Sequence, residues 1–129
     1  MTVFAAAILA LVLVYLSLRV VKLRKRHLVA IGDGGHVDLQ RAIRAQGNFT
    51  EYVPMALLLL YGLEQMQVAE WLVGILCLML VVGRLLHAWS ISQLKENFRI
   101  RFVGMALTFA SLVVSALTIM AVSMVRFLS

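Results

Sequence analysis

The chain has little of what soluble, disulfide-bonded or metal-binding proteins need. Its one cysteine, Cys77, excludes a disulfide within the chain, and no Cys/His group has zinc-ligand spacing. One proline and eight glycines exclude a disordered or collagen-like chain. Only 14% of the 129 residues are charged and 63% are hydrophobic, whereas soluble domains carry about 25% charged residues. This composition excludes a soluble globular domain. It also offers no face for nucleic acid, despite a net charge of +6.

The apolar residues form four segments that predict an all-α integral membrane protein. A membrane span needs about 20 residues. We predict helices over residues 3–23, 40–63, 70–91 and 102–126. Their short connections predict an up-down four-helix bundle that forms one domain over residues 1–129. Residues 1–18 carry no charge, and the basic residues follow this run instead of preceding it, so we expect a retained helix and not a cleaved signal.

The basic residues predict the orientation in the membrane. The first helix ends in five basic residues between Arg19 and Arg26, and Lys95 and Arg99 lie between the third and fourth helices. The connection between the second and third helices has no Lys or Arg. By the positive-inside rule, the first and third connections are predicted to be cytoplasmic and both ends of the chain external.

A polar stripe on the second helix is the main candidate site. Arg41, Arg44, Asn48 and Glu51 are spaced 3, 4 and 3 residues apart, so they fall within about 80° of one helix face. Arg84 on the third helix lies about as far from the external end as Glu51 does, roughly 20 Å at 1.5 Å per residue. We therefore expect an ion pair between Glu51 and Arg84. The other two arginines on the stripe favour an anion site over a purely structural cluster.

The second helix also carries a family resemblance. Residues 44–54 read RAQGNFTEYVP and resemble the signature of the MAPEG family, the membrane-associated proteins in eicosanoid and glutathione metabolism. In that signature Arg, Gln, Asn, Glu and Pro follow one another at the spacing seen here. Residues 83–87, GRLLH, resemble the third-helix element Arg-x-x-His/Tyr of the family. The short length and the GDGG loop at residues 32–35 resemble its small bacterial inner-membrane branch most.

The resemblance implies a homotrimer with glutathione between neighbouring subunits, near the cytoplasmic face. Arginines suit the two carboxylates of glutathione, a glutamate suits its ammonium group, and a nearby guanidinium stabilises its thiolate. By position, the residues implied to bind glutathione are Arg24, Arg44, Gln46, Asn48, Glu51, Tyr52, Arg84 and His87. Arg101 lies where the catalytic, thiolate-stabilising arginine of the family is expected. Arg99 is the alternative, because alignment across the preceding loop needs a one-residue adjustment. No metal is expected.

The activity implied is that of a microsomal-type glutathione transferase or peroxidase, acting on lipophilic electrophiles or lipid hydroperoxides. Several catalytic members carry a tyrosine one turn after the position of His87, where this chain has Ile91. A non-catalytic glutathione- or lipid-binding membrane protein is therefore the alternative. A small multidrug exporter is disfavoured, because those exporters place an essential carboxylate in the first helix and residues 3–23 contain none. The expected partners are glutathione, a lipophilic small molecule and membrane lipids, and not nucleic acid.

Overall fold

The computed structural model describes residues 1–93 and 97–128, which fold into four helices with no strand among them. The helices are α1 (Thr2–His27), α2 (Val37–Gln65), α3 (Glu70–Ser92) and α4 (Phe98–Leu128). The all-α, four-helix fold predicted from the sequence is confirmed. Lys95, one of the residues used to predict the orientation, lies outside the described residues.

Contacts between helix ends show that α1 runs antiparallel to α2 and parallel to α3. The main-chain N–H of Thr2, at the start of α1, donates to the carboxylate of Glu64 near the end of α2 at 3.2 Å. Near the other end of α1, Arg19 donates to the main-chain oxygen of Ser92 at the end of α3, at 2.8 Å. We call this second end, which carries the α1–α2 and α3–α4 connections, the basic end. Helices α2 and α3 each contact all three others, and over the described residues α1 and α4 do not touch.

The outer surface of the bundle is apolar, as a membrane requires. Helices α1, α3 and α4 are long and apolar enough to cross a bilayer. Helix α2 has 29 residues and is also long enough, but its half toward the basic end carries the polar stripe. Large apolar side chains such as Phe4 (74% exposed) and Leu78 (64% exposed) cover the outside of the bundle. An exposed apolar surface of this extent is explained by contact with lipid.

Helix α4 begins at Phe98, four residues before the predicted start, because Asn97 caps it. The side-chain oxygen of Asn97 accepts hydrogen bonds from the main-chain N–H groups of Arg99 (3.1 Å) and Ile100 (3.4 Å). Such a cap satisfies N–H groups that have no partner within the helix. As a consequence, Arg101 lies inside the first turn of α4 and not in the loop before it.

The α1–α2 connection is shorter than predicted, because α1 extends to His27 and α2 begins at Val37. The last turn of α1 is basic, which is favourable at the negative end of a helix dipole. Nε2 of His27 is 2.9 Å from Oδ2 of Asp38, and the His27 ring stacks on His36 with ring centroids 3.9 Å apart. The hydrogen bond with His27 is the main reason that the pKa of Asp38 is lowered. These contacts join the adjacent ends of α1 and α2.

Helices α3 and α4 approach each other closely at two glycines. A Cβ atom on Gly104 would lie 2.7 Å from the main-chain oxygen of Gly83 and 2.8 Å from the nitrogen of His87. A Cβ atom on Gly83 would lie 2.8 Å from the oxygen of Gly104. Small residues at such crossings allow helices in membranes to pack closely. The crossing fixes the positions of Arg84 and His87, which lie just beyond Gly83 on α3.

Candidate functional site

A cavity at the basic end gathers five of the candidate site residues predicted from the sequence. It lies between α2, α3 and the start of α4 and has a volume of about 290 Å³. Its walls are formed by Val37, Gln40, Arg41, Arg44, Asn48, His87, Ile91 and Arg101. Three of these residues are arginines and none is acidic, so the cavity favours an anionic ligand. We call it the polar cavity. The described residues contain no group of three or more His, Cys, Asp or Glu side chains that could hold a metal ion.

The period of α2 explains how one helix supplies five of the eight wall residues. Residues spaced three or four apart lie on one face, so Arg41, Arg44 and Asn48 of the polar stripe line the cavity on successive turns, whereas Glu51 does not. Because α2 begins at Val37, this face is one turn longer than predicted. Val37 and Gln40 therefore also line the polar cavity, although neither was predicted as a site residue. Extending the three- and four-residue spacing back by two turns, from Arg44 to Gln40 and Val37, is the sequence signal that identifies both.

Arg84 is a buried cation that is linked to the polar cavity through Asn48. The residue is 1% exposed, and its guanidinium donates to Oδ1 of Asn48 at 2.9 Å and to the main-chain oxygen of Asn48 at 3.3 Å. It also contacts the sulfur of Met105 at 3.3 Å and lies 6.0 Å from the ring centroid of Tyr52. The Tyr52 ring packs edge-on against Phe109 of α4, with ring centroids 5.3 Å apart. This cluster ties α2, α3 and α4 together beside the cavity.

The predicted ion pair between Glu51 and Arg84 is wrong. Oε1 of Glu51 lies 3.8 Å from Nη1 of Arg44, and these two side chains are 51% and 62% exposed. Arg84 takes Asn48 as its acceptor instead. Asn48 and Glu51 lie less than one helical turn apart, so depth in the membrane does not distinguish them. The rotation of α2 does, because it turns Asn48 toward α3 and leaves Glu51 on the outer surface.

Two other predicted residues, Gln46 and Arg24, do not line the polar cavity. Gln46 donates to Oγ of Ser17 on α1 at 2.9 Å. Arg24 donates to the main-chain oxygens of Ala30 (3.1 Å) and Gly32 (2.9 Å), and so holds the α1–α2 connection in place. Both residues thus contact α1 or the segment after it, whereas no residue of α1 lines the polar cavity.

The wall opposite α2 combines one cation with a partly apolar surface. Arg101 lines the cavity from the first turn of α4, and Arg99, the alternative for its role, does not. On α3, His87 (3% exposed) and Ile91 (6% exposed) complete the wall. Ile91 stands at the position where the family resemblance implies a tyrosine in several catalytic members, and its side chain offers no hydroxyl to a ligand.

Comparison with known proteins gives matches over most of the chain. The MAPEG family model matches residues 2–121. The "Inner membrane protein YecN" of Escherichia coli (strain K12) is 39% identical over 112 residues, which is 87% of this chain and 84% of the relative. The protein of the same name from Escherichia coli O6:H1 (strain CFT073) matches with the same identity and coverage. No solved structure matches the chain.

Proposed function

Because the chain belongs to the MAPEG family, we propose that it binds glutathione in the polar cavity and activates the glutathione thiol. The family match confirms the resemblance seen in residues 44–54 and 83–87. The helices make the chain a multi-pass membrane protein, and the names of its relatives place it in the bacterial inner membrane. The observation that carries the proposal is the composition of the polar cavity, whose walls, within residues 1–93 and 97–128, hold three arginines and no carboxylate.

The walls of the polar cavity suit the charged groups of glutathione. Its two carboxylates can be held by the arginines of α2, because a guanidinium forms paired hydrogen bonds with a carboxylate. The Asn48 amide lies at the inner end of this stripe and offers a further polar contact. Glu51, at the surface beside Arg44, is placed to accept a hydrogen bond from the ammonium group of the ligand. The volume of about 290 Å³ is close to the lower end of the ~300–1,000 Å³ range of small-molecule sites.

Arg101 is the residue that we assign to thiol activation. A positive charge beside a thiol lowers the pKa of that thiol, and the proton leaves to water. The thiolate then attacks an electrophilic carbon of a lipophilic compound, so that a C–S bond forms and the leaving group departs with the bonding electrons. With a lipid hydroperoxide, the thiolate attacks oxygen and the O–O bond breaks, giving an alcohol after protonation. A second glutathione converts the resulting sulfenic acid into a disulfide and water.

We further propose that subunits share this site in a homotrimer. Arg24 and Gln46 match glutathione-binding positions of the family, yet they do not line the polar cavity of their own subunit. A neighbouring subunit that brings both residues to the cavity accounts for their positions. Arg44 and Glu51 are more than half exposed on one subunit, as residues beside a subunit contact are before assembly.

Ile91 supports one alternative, which is glutathione or lipid binding without catalysis. Because Ile91 has no hydroxyl that could bind the thiolate, Arg101 is the residue that stabilises the thiolate in the proposed enzyme. The alternative and the enzyme differ in one measurable property, the pKa of the bound thiol.

The experiment is a titration of glutathione bound to the purified protein, followed by thiolate absorbance against pH. The expected result is a thiol pKa well below the ordinary value of about 8.5. Arg101→Gln should raise that pKa back toward 8.5, whereas the matched variant Arg99→Gln should leave it unchanged. A parent protein that binds glutathione with an ordinary thiol pKa would favour the non-catalytic alternative. Equal effects of the two variants would contradict the role assigned to Arg101.

A further inference from the structure

A second cavity at the basic end lies beside α1 and has a volume of about 530 Å³. Its cationic residues are Arg19, Lys22, Arg26 and Arg41. Among the described residues, its one acidic side chain is Asp38, whose carboxylate is already hydrogen-bonded to His27. The walls therefore carry a clear excess of positive charge. We call this cavity the basic cavity. The proposed function leaves it without a role, and of the residues that the structure describes it shares only Arg41 with the polar cavity.

The basic residues of α1 are divided between two faces of the helix. At 100° per residue, Arg19, Lys22 and Arg26 fall within about 60° of one another and line the basic cavity. Arg24 lies on the far side, where it binds the α1–α2 connection. Toward the middle of α1, the cavity wall becomes apolar and includes Leu18, which is 62% exposed. The cavity thus opens among side chains that contact lipid.

Arg19 has an unused hydrogen-bond donor in this wall. Its Nη2 donates to the main-chain oxygen of Ser92 at 2.8 Å. Its Nη1 is buried and has no hydrogen-bond partner among the described residues. A buried donor without an acceptor is unfavourable. A phosphate oxygen in the basic cavity is an acceptor that would satisfy it after a small rotation of the guanidinium.

An apolar cavity lies between α1 and α3, along the same face of α1 as the basic cavity, and we call this face with its two cavities the α1 groove. That second cavity, of about 410 Å³, is lined by Phe4 and Ile8 of α1 and by Leu78 and Val81 of α3, among others. Phe4 and Ile8 lie on the same face of α1 as Lys22, within about 40°. Ile8 and Arg19 are 11 residues apart, or ~16 Å along the helix. This distance is close to half of the ~30 Å hydrocarbon core of a bilayer, which is the depth of one leaflet.

We propose that this groove binds an anionic phospholipid of the cytoplasmic leaflet, with its phosphate in the basic cavity and an acyl chain directed along α1 toward the apolar cavity. The charge of the walls matches the headgroup, and the apolar surface beyond Leu18 matches the chain. Free phosphate would use only the basic part of the groove. The proposal does not depend on glutathione binding.

The test is native mass spectrometry of the purified protein after equilibration with phosphatidylglycerol or with phosphatidylcholine. Both lipids carry a phosphate, but only phosphatidylglycerol has a net negative charge. The parent should retain phosphatidylglycerol in preference. Lys22→Gln should reduce that retention about fivefold, the effect expected for one basic residue near a membrane surface. The matched variant Lys25→Gln removes the same charge one turn away, outside the cavity walls, and should change retention little.

Four results would overturn the proposal. Equal retention of the two lipids by the parent would show that the groove does not select an anionic headgroup. Equal losses in Lys22→Gln and Lys25→Gln would show a general charge effect with no role for the basic cavity. Displacement of the lipid by millimolar inorganic phosphate would assign the cavity to free phosphate. A changed subunit number in Lys22→Gln, without a change in bound lipid, would assign it to contact with a second copy of the chain.

Discussion

Replacing Asn48 by alanine should destabilise the protein more than replacing Glu51 by glutamine. Oδ1 of Asn48 is the 2.9 Å acceptor for the guanidinium of Arg84, which is 1% exposed. In Asn48→Ala this acceptor is lost, and the main-chain oxygen of residue 48, at 3.3 Å, remains. A hydrogen bond to a charged group contributes about 1.5–3 kcal/mol. Because little water reaches this site, we expect the free energy of unfolding to fall by about that amount.

Glu51→Gln is the matched control on the same helix. It removes only the 3.8 Å ion pair with Arg44, and both of these side chains are more than half exposed. Exposed ion pairs contribute about 0–1 kcal/mol. If Glu51 were instead the buried partner of Arg84, its loss would cost about 3–5 kcal/mol and the order of the two variants would be reversed.

The assay is chemical unfolding in detergent micelles, followed by helical circular dichroism, for each variant alone and combined with Arg84→Met. Without the guanidinium, Asn48→Ala has no charged hydrogen bond to remove, so its cost should fall and the double-mutant cycle should show coupling of about 0.5–3 kcal/mol. The reasoning is refuted if Glu51→Gln is the more destabilising variant. It is also refuted if Asn48→Ala costs the same with and without Arg84.

Four other outcomes follow from the structure. Gly104→Ala should lower the free energy of unfolding by about 1–3 kcal/mol, because its Cβ would lie 2.7 Å from the oxygen of Gly83. Gly62→Ala should lower it less, since its Cβ would make only a 3.4 Å contact with a side chain. The pKa of Asp38 is lowered by His27, so the stability that this contact gives is complete above about pH 4 and is lost as the pH falls through the lowered value. Protection of the amides in the α1–α2 connection, measured as the exchange rate relative to the intrinsic rate at each pH, should therefore fall in acid in the parent and depend less on pH in Asp38→Asn. Alkaline phosphatase fused to the C-terminus should be active in bacteria, and an inactive fusion would contradict the predicted orientation. Native mass spectrometry should detect trimers, and monomers that still bind glutathione would argue against a shared site.

Much of the fold can be predicted from the sequence, because membrane spans depend on properties of single segments. The length of each apolar run and the basic residues beside it predict four helices before any packing is known. The start of α4 was missed because it depends on one local hydrogen-bonding group, Asn97, within a polar loop. An asparagine directly before a helical segment is a recognisable N-cap signal. This signal predicts that the helix begins at Phe98, which places Arg101 in its first turn and not in the loop.

The candidate site could be predicted only in part, because spacing defines a helix face and not what faces it. Arg44 and Asn48 of the stripe lie on the face of α2 that lines the polar cavity, where His87 and Arg101 join them, whereas Glu51 of the same stripe does not line it. The predicted partner of Arg84, Glu51, was wrong, since the partner depends on how α2 is rotated against α3. That rotation results from tertiary packing, including the close crossing of α3 and α4, and no pattern within α2 encodes it.

Calorimetric titration of glutathione into the purified protein tests most directly whether the polar cavity is its binding site. The parent and the control variant Arg99→Gln should both bind saturably, because Arg99 does not line the cavity. Arg44→Gln should bind at least about tenfold more weakly, as expected when one hydrogen bond to a charged group is lost. No saturable binding by the parent, or the same affinity in Arg44→Gln as in the parent, would contradict the assignment of glutathione to this cavity.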